Sequence, residues 1–175
     1  MAKTYPTIGP FTAGDILTAA TMTDIQTNLT NQRVPPMCRI NQTSGQTIND
    51  ATNTVLTFAG EQFDTDGMHD LVTNNSRITI QTAGVYLVTG SANYTAGVSD
   101  DAAINILKNG SGGTGGYVAF GPANTTAGMT TTTLLSLAVS DYLELSVYQN
   151  NSANTPRTTD TTATYLSAAW LGQVS

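Results

Sequence analysis

Catalysis and metal binding need reactive side chains brought close together, and this chain offers few. Its one histidine, His69, lies in the acidic stretch Asp64–Asp70, "DTDGMHD". A Ser-His-Asp triad could draw on it, but no Gly-x-Ser-x-Gly elbow is present to raise a serine onto a strained turn. Proton transfer also needs a tuned partner within reach, so His69 is expected to be an ordinary side chain in a polar turn. Zinc takes about four Cys, His or carboxylate ligands; one histidine and one distant cysteine, Cys38, fall short. Asp64, Asp66 and Asp70 carry a faint calcium-loop pattern. An EF-hand loop ends in a Glu at its twelfth position, and counting from Asp64 that position is Asn75. Asp and Gly are ordinary turn residues, so a solvated turn is expected, with calcium at this triplet left open. The only glutamates are Glu61 and Glu144, and a glycosidase would need a carboxylate pair facing one groove. The run "NGSGGTGG" over 109–116 lacks the Lys-Ser/Thr ending of a phosphate loop and reads as a flexible loop. The expectation is a protein that is not an enzyme and holds no metal or cofactor.

The bulk of the chain narrows the partners. Its 175 residues suit one domain with an appendage, and a chain of this size buries roughly two thirds of its unfolded surface without staples. A single cysteine forms no intrachain disulfide, and Cys38 is expected to be a small buried residue. Net charge is −6, only 10% of residues are charged, and the six Lys and Arg are scattered. Nucleic acid is therefore not an expected partner, because phosphate contacts need clustered cations. No apolar run approaches the ~20 residues of a membrane span. The polar opening "MAKTYPTIGPFTAGD" has no signal-peptide core, so neither membrane insertion nor a host secretory route is expected.

These residues must be positioned by local structure, and residues 1–36 read differently from the rest. Pro6, Gly9, Pro10 and Gly14 interrupt regular folding at the start. Thr21 followed by Asp24 resembles a capping box. Met22, Ile25 and Leu29 fall at i, i+3 and i+7 on one stripe, which predicts a short helix over about 21–33 that Val34-Pro35-Pro36 ends. A helix this short is marginal alone, so its stripe needs cover from this domain, sister copies or a larger body. From Met37 onward the chain is rich in β-branched Thr, which favours strands. Strands are predicted over 37–42, 54–59, 77–81, 84–94, 102–108, 117–120, 129–138, 141–149 and 162–171, with loops at 108–116 and 149–160. Many short strands between Gly, Asn and Asp clusters suggest a β-sandwich. In Tyr142–Gln149, Leu143, Leu145 and Val147 share one face, and Tyr142, Glu144, Ser146 and Tyr148 the other. In "VYLV", Val85–Val88, both faces are apolar, so that strand has to be covered on both sides.

The stretch "NNSRITIQTAGVYLVTGSANY" (74–94) resembles the central signature of the complement C1q / tumour-necrosis-factor (TNF) jelly-roll superfamily. "TVLTFAGEQFDTDGMHD" (54–70), "INILKNG" (104–110), "VSDYLELSVYQNNS" (139–152) and "ATYLSAAWLG" (163–172) look like further segments of it, with Ser140 where Gly is usual and no Phe-Ser-Gly near Trp170. The leader "AGDILTAATMTDIQTNLTNQR" (13–33) looks like that of bacteriophage fibre and head-surface proteins, in place of a collagen stalk. The resemblance implies an all-β jelly-roll sandwich over 37–175, preceded by an arm with a short helix over 1–36. It also implies a homotrimer. Tyr86, Tyr142, Tyr148 and Tyr165 are candidates for its seam, although large aromatics also fill a monomer's own core. The implied role is a virion protein, a capsid decoration or head fibre fixed to the major capsid protein or another virion component. Tyr5, Ile8, Phe11, Ile16, Leu17, Met22, Ile25 and Leu29 are the arm's candidate anchors. In this fold the termini leave at one end, so loops 108–116 and 149–160 are expected at the free end. The alternative is a tail-fibre tip that binds the host cell surface, with a surface glycan open as its ligand. No ligand or calcium residue carries over from the family.

Overall fold

Strands form where β-branched and aromatic residues alternate with small ones, and they stop at Gly, Asn and Asp clusters. The computed structural model describes residues 2–95, 101–120, 128–151 and 153–173. Its elements in chain order are α1 (Ala19–Arg33), β1 (Met37–Asn41), β2 (Thr47–Ile48), β3 (Thr54–Val55), β4 (Gly60–Asp64), β5 (Ile78–Thr79), β6 (Gly84–Asn93), β7 (Asp101–Lys108), β8 (Tyr117–Phe120), β9 (Gly128–Leu137), β10 (Tyr142–Asn150), β11 (Arg157–Thr158) and β12 (Tyr165–Gly172). Among the described residues, one sheet runs β4-β1-β12-β6-β9 and a second β3-β10-β7-β8, with β5 also on β10 and a small pair β11-β2. The pairings are antiparallel and mostly join strands distant in sequence. The two larger sheets close over one core, with Ile40, Tyr86, Val88, Leu166 and Ala168 from the first against Ile104, Ile106, Leu143, Leu145 and Val147 from the second.

This is the jelly-roll sandwich that the sequence led one to expect, and the long strands lie where they were predicted. β2, β4 and β11 were not expected; β11 falls inside a segment read as loop. Cys38 is buried in the core, and burial pushes its thiol pKa well up, which leaves it unreactive. The doubly apolar strand is β6, an interior strand of its sheet between β12 and the edge strand β9. Tyr86 and Val88 point into the core and are fully buried, while Val85 and Leu87 point outward. Tyr86 is therefore not a seam residue: it stands in the inward phase of the strand, and its hydroxyl donates to the Thr82 carbonyl at 2.6 Å.

Two expectations about loops are corrected. β7 runs antiparallel to β10 with Lys108 opposite Leu143, so the turn after Lys108 sits beside the start of β10, at the end where β1 begins and β12 finishes. Loop 108–116 thus lies at the arm end; of the two loops, only 149–160 lies opposite. Nor is the glycine-rich run loose. Thr114 Oγ1 donates to the Ile106 carbonyl (2.7 Å) and Thr133 Oγ1 to the Thr114 carbonyl (2.9 Å). A Cβ on Gly116 would meet Ile106 Cδ1 at 2.9 Å.

The break "QTAG" before β6 has a steric cause. A Cβ on Gly84 would lie 2.1 Å from Trp170 Nε1 and 2.4 Å from the Gly172 carbonyl, and Gly84 has φ +155°. Only glycine lets the last strand and its tryptophan close on β6. Gly84→Ala is expected to destabilise the fold by about 1–3 kcal/mol, the usual cost of overpacking, read as a lower urea midpoint with an unchanged slope.

Candidate interaction surfaces

The outward phase of the first sheet builds an apolar row. In register across four strands stand Met37 (β1), Ala169 (β12), Leu87 (β6) and Leu134 (β9). Leu134 is 60% exposed, Leu87 is exposed, and the other two are half-buried. Phe63 on β4 and Leu171 on β12 are exposed as well. The next row is Phe63, Arg39, Ser167, Thr89 and Thr132, polar except for Phe63 at its β4 edge, with the two threonine hydroxyls 3.2 Å apart. The Arg39 guanidinium lies 3.7 Å over the Tyr165 ring.

The four tyrosines do not share one surface. Tyr165 belongs to this face, and Tyr86 is core. Tyr142 and Tyr148 alternate with the core residues of β10, so they point to the outside of the second sheet. There Arg77 covers the Tyr142 ring at 3.9 Å and pairs with Glu144 at 3.0 Å, and Ser76 also donates to Glu144. The outward apolar row of the first sheet is built from aliphatics, not from the tyrosines singled out in the sequence. Its signal was present in the outward positions Val85 and Leu87 of "VYLV" and in Leu134 of the threonine-rich β9.

The arm carries a second exposed apolar group. α1 starts at Ala19, two residues earlier than predicted, because the cap is Thr18: its Oγ1 accepts from Thr21 N–H at 3.1 Å. Thr21 is the third residue of the helix rather than its cap. No residue of α1 is buried. Met22 and Leu29 are exposed and Ile25 half-buried; ahead of them Phe11, Ile16 and Leu17 are exposed, Ile16 by 88%, and Ile8 is half-buried. Tyr5 is engaged within the chain, stacked on Trp170 with ring centroids 4.7 Å apart.

The polar groups hold turns. Both oxygens of Asp64 accept backbone N–H bonds, from Asp66, Gly67, Met68 and His69 at 2.5–3.0 Å. Asp70 accepts from Val72 and Thr73, and Asp66 accepts from the Thr82 hydroxyl. Among the described residues no three His, Cys, Asp or Glu groups converge as a metal site. His69 Nδ1 faces the Arg77 carbonyl at 2.8 Å. Glu61 is on β4 of one sheet and Glu144 on β10 of the other, so they form no pair. A cleft of about 630 Å³ at the arm end is lined by Gly84, Lys108, Ser136, Leu137 and Asp141, and its two charges bind each other at 2.8 Å.

Two antiparallel sheets in this strand order define a jelly roll of the C1q/TNF kind. Solved structures share it. The globular domain of zebrafish complement 1qA protein superposes with a TM-score of 0.53 at 10% identity, over 79% of this chain and 99% of that one. Murine APRIL, solved at pH 5.0 and at pH 8.0, superposes with a TM-score of 0.56 at 10% identity, over 78% of this chain and 98% of its own. No family model and no curated protein sequence matches the chain. The likeness is one of fold.

The Lys108–Asp141 pair gives this end a pH signature. Hydrogen bonds from Lys108 first, then Asn109, lower the Asp141 pKa from 3.8 to about 2. A lowered folded-state pKa stabilises above the unfolded value and is lost as pH falls through the folded one. Asp141→Asn is expected to be less stable than the parent at about pH 5, and the gap should close as pH falls to about 2 in urea titrations.

Proposed function

We propose that this chain is a structural protein of a bacteriophage particle, a homotrimeric capsid decoration or head fibre attached through its N-terminal arm. The observation that carries self-association is the apolar row Met37–Ala169–Leu87–Leu134. Single exposed leucines are common, but a contiguous row with Phe63 and Leu171 beside it marks an association surface. A heterologous contact that closes by rotation makes a ring, and covering this face around a threefold axis gives β6 its second core. Burial returns roughly 25 cal/mol per Å² of apolar area.

Attachment rests on the arm. β1 begins and β12 ends side by side, so the arms of a closed trimer leave from one end. Three weak contacts then act as one durable attachment. The phage setting rests on the resemblance of the leader and of the segments across 37–172 to virion proteins. The opposite end favours the head over the tail-tip reading. There Gln42, Gln149, Asn151 and Thr159 are buried in a hydrogen-bond network: Thr159 Oγ1 donates to Gln42 Oε1, and Asn151 Nδ2 reaches Gln149 Oε1 and the Thr155 carbonyl. Among the described residues, those of loop 149–160 are fastened there, which suits a capped end better than an adaptable binding loop. The chain's role is binding and support, with no reaction assigned.

Light scattering is expected to give three times the 18.3 kDa chain mass. Leu87→Glu with Leu134→Glu should raise the trimer's dissociation constant by at least ~30-fold, as loss of a hot spot does, and leave a folded monomer. Deleting residues 2–35 should keep the trimer and abolish attachment to the particle. A stable wild-type monomer would sink the reading, and electron micrographs placing the protein on the tail would move it to the alternative.

A further inference from the structure

The residues before α1 do not run free. We propose that residues 2–6 are a latch: the stack of Tyr5 on Trp170 closes the arm into a hairpin with α1 and leaves residues 7–18 as its projecting tip. The receiving side is built into the jelly roll. Trp170 Nε1 donates to the Ala83 carbonyl at 3.1 Å, in the space that Gly84 leaves open. The Tyr5 ring lies on it nearly parallel, at 18°. Beside it, Thr82 Oγ1 accepts the Lys3 backbone N–H at 2.9 Å and donates to the fully buried Asp66 at 2.8 Å. Both partners of the strap are thus fixed in the sandwich.

The other side of the strap is fastened to the helix. Asn31 Nδ2 donates to the Thr4 carbonyl (2.6 Å), Asn28 Nδ2 to the Pro6 carbonyl (2.9 Å), and the Tyr5 hydroxyl to the Asn31 carbonyl (3.4 Å). Asn28 and Asn31 are three apart and share one side of α1. At 3.6 residues per turn that side faces away from Met22 and Leu29, which stay exposed. Segment 7–18 is therefore held at both ends, by Pro6 on Asn28 and by the Thr18 cap. Within it Asp15 accepts from the backbone N–H and hydroxyl of Thr12 at 2.7 and 2.8 Å. Phe11, Ile16 and Leu17 are presented by a closed loop, which loses less freedom on binding than an extended peptide does. The purpose of the tip rests on the attachment reading above; the latch does not.

Trp170 is the sole tryptophan, so its emission reports the stack directly in the full-length protein. Tyr5→Ala is expected to shift that emission to the red, speed amide exchange in α1 about ten-fold and expose 7–18 to protease; local opening of this kind is what exchange measures. Tyr5→Phe should keep all three near the parent. Asn28→Ala with Asn31→Ala should speed α1 exchange while Trp170 emission holds. The latch is overturned if Tyr5→Ala leaves emission and α1 exchange unchanged, or if the asparagine variant unstacks Trp170. No particle enters these measurements, so a failed latch and a failed anchoring role are told apart.

Discussion

β6 carries apolar side chains on both faces, and the chain can supply a core for only one. Tyr86 and Val88 fill the space between the two sheets; Val85 and Leu87 look outward into a row that continues to Met37 and Leu134. The hydrophobic effect has no direction, so it does not prefer one face. What separates the faces is the pleat, which sends alternate residues to opposite sides. A slip of one residue would exchange core and surface, so register is strongly specified. Packing at Gly84 helps pin it, because one position displaced would drive a Cβ into Trp170 or the Gly172 carbonyl.

The low charge of the chain follows the same logic. Away from the apolar row and from Phe63, Val85 and Leu171, the outer face of the first sheet is mostly Ser, Thr and Asn, with Arg39 on Tyr165. Threonine keeps strand propensity while presenting a hydroxyl, so the face is neither aggregating grease nor strongly hydrated. The edges are protected by other means. β4 is bulged against β1, with the register shifting between Arg39 and Ile40, and bulges discourage pairing with another chain. At the opposite edge, Thr114 of the glycine-rich segment takes a hydrogen bond from Thr133 of β9.

Period-two alternation was legible in β10, whereas β6 showed as a doubly apolar run and β7, β9 and β12 as β-branched or apolar runs between Gly, Asn and Asp clusters. The short strands could not be read in this way. β4 reads Gly-Glu-Gln-Phe-Asp and has no buried residue, so no burial constraint shaped its pattern. Assigning the tyrosines failed for a different reason. Aromatic type does not specify a face, and Tyr86 differs from Tyr142 only in the phase of its strand relative to the core. Helix α1 was legible from its stripe, but its true cap was not, since Asp24 three residues after Thr21 gives that threonine a capping-box pattern that Thr18 lacks. Tyr5 on Trp170 spans nearly the whole chain, and nothing local to either residue announces the partner.

Position along the sandwich links assembly to attachment in the proposed trimer. The apolar row begins at Met37, the residue that follows the arm, and the rows beyond it toward the opposite end are mostly polar, with Phe63 and Tyr165 as their apolar members. Contact between copies is thus concentrated at the end from which the arms leave. Val34, Pro35 and Pro36 separate α1 from that row, and Pro36 is buried with its carbonyl taking the Trp170 N–H at 2.9 Å. Proline removes backbone freedom just where the arm joins the sheet. The spacing of three arm bases is then set by the packing of Met37 and its row neighbours, while Trp170 sets the arm's direction through Tyr5. A partner surface with matching threefold spacing would meet preplaced contacts, and effective concentration rewards that match most steeply. In the proposed trimer, the side chains that would cover β6 from outside are the same ones that would set how far apart the arms stand.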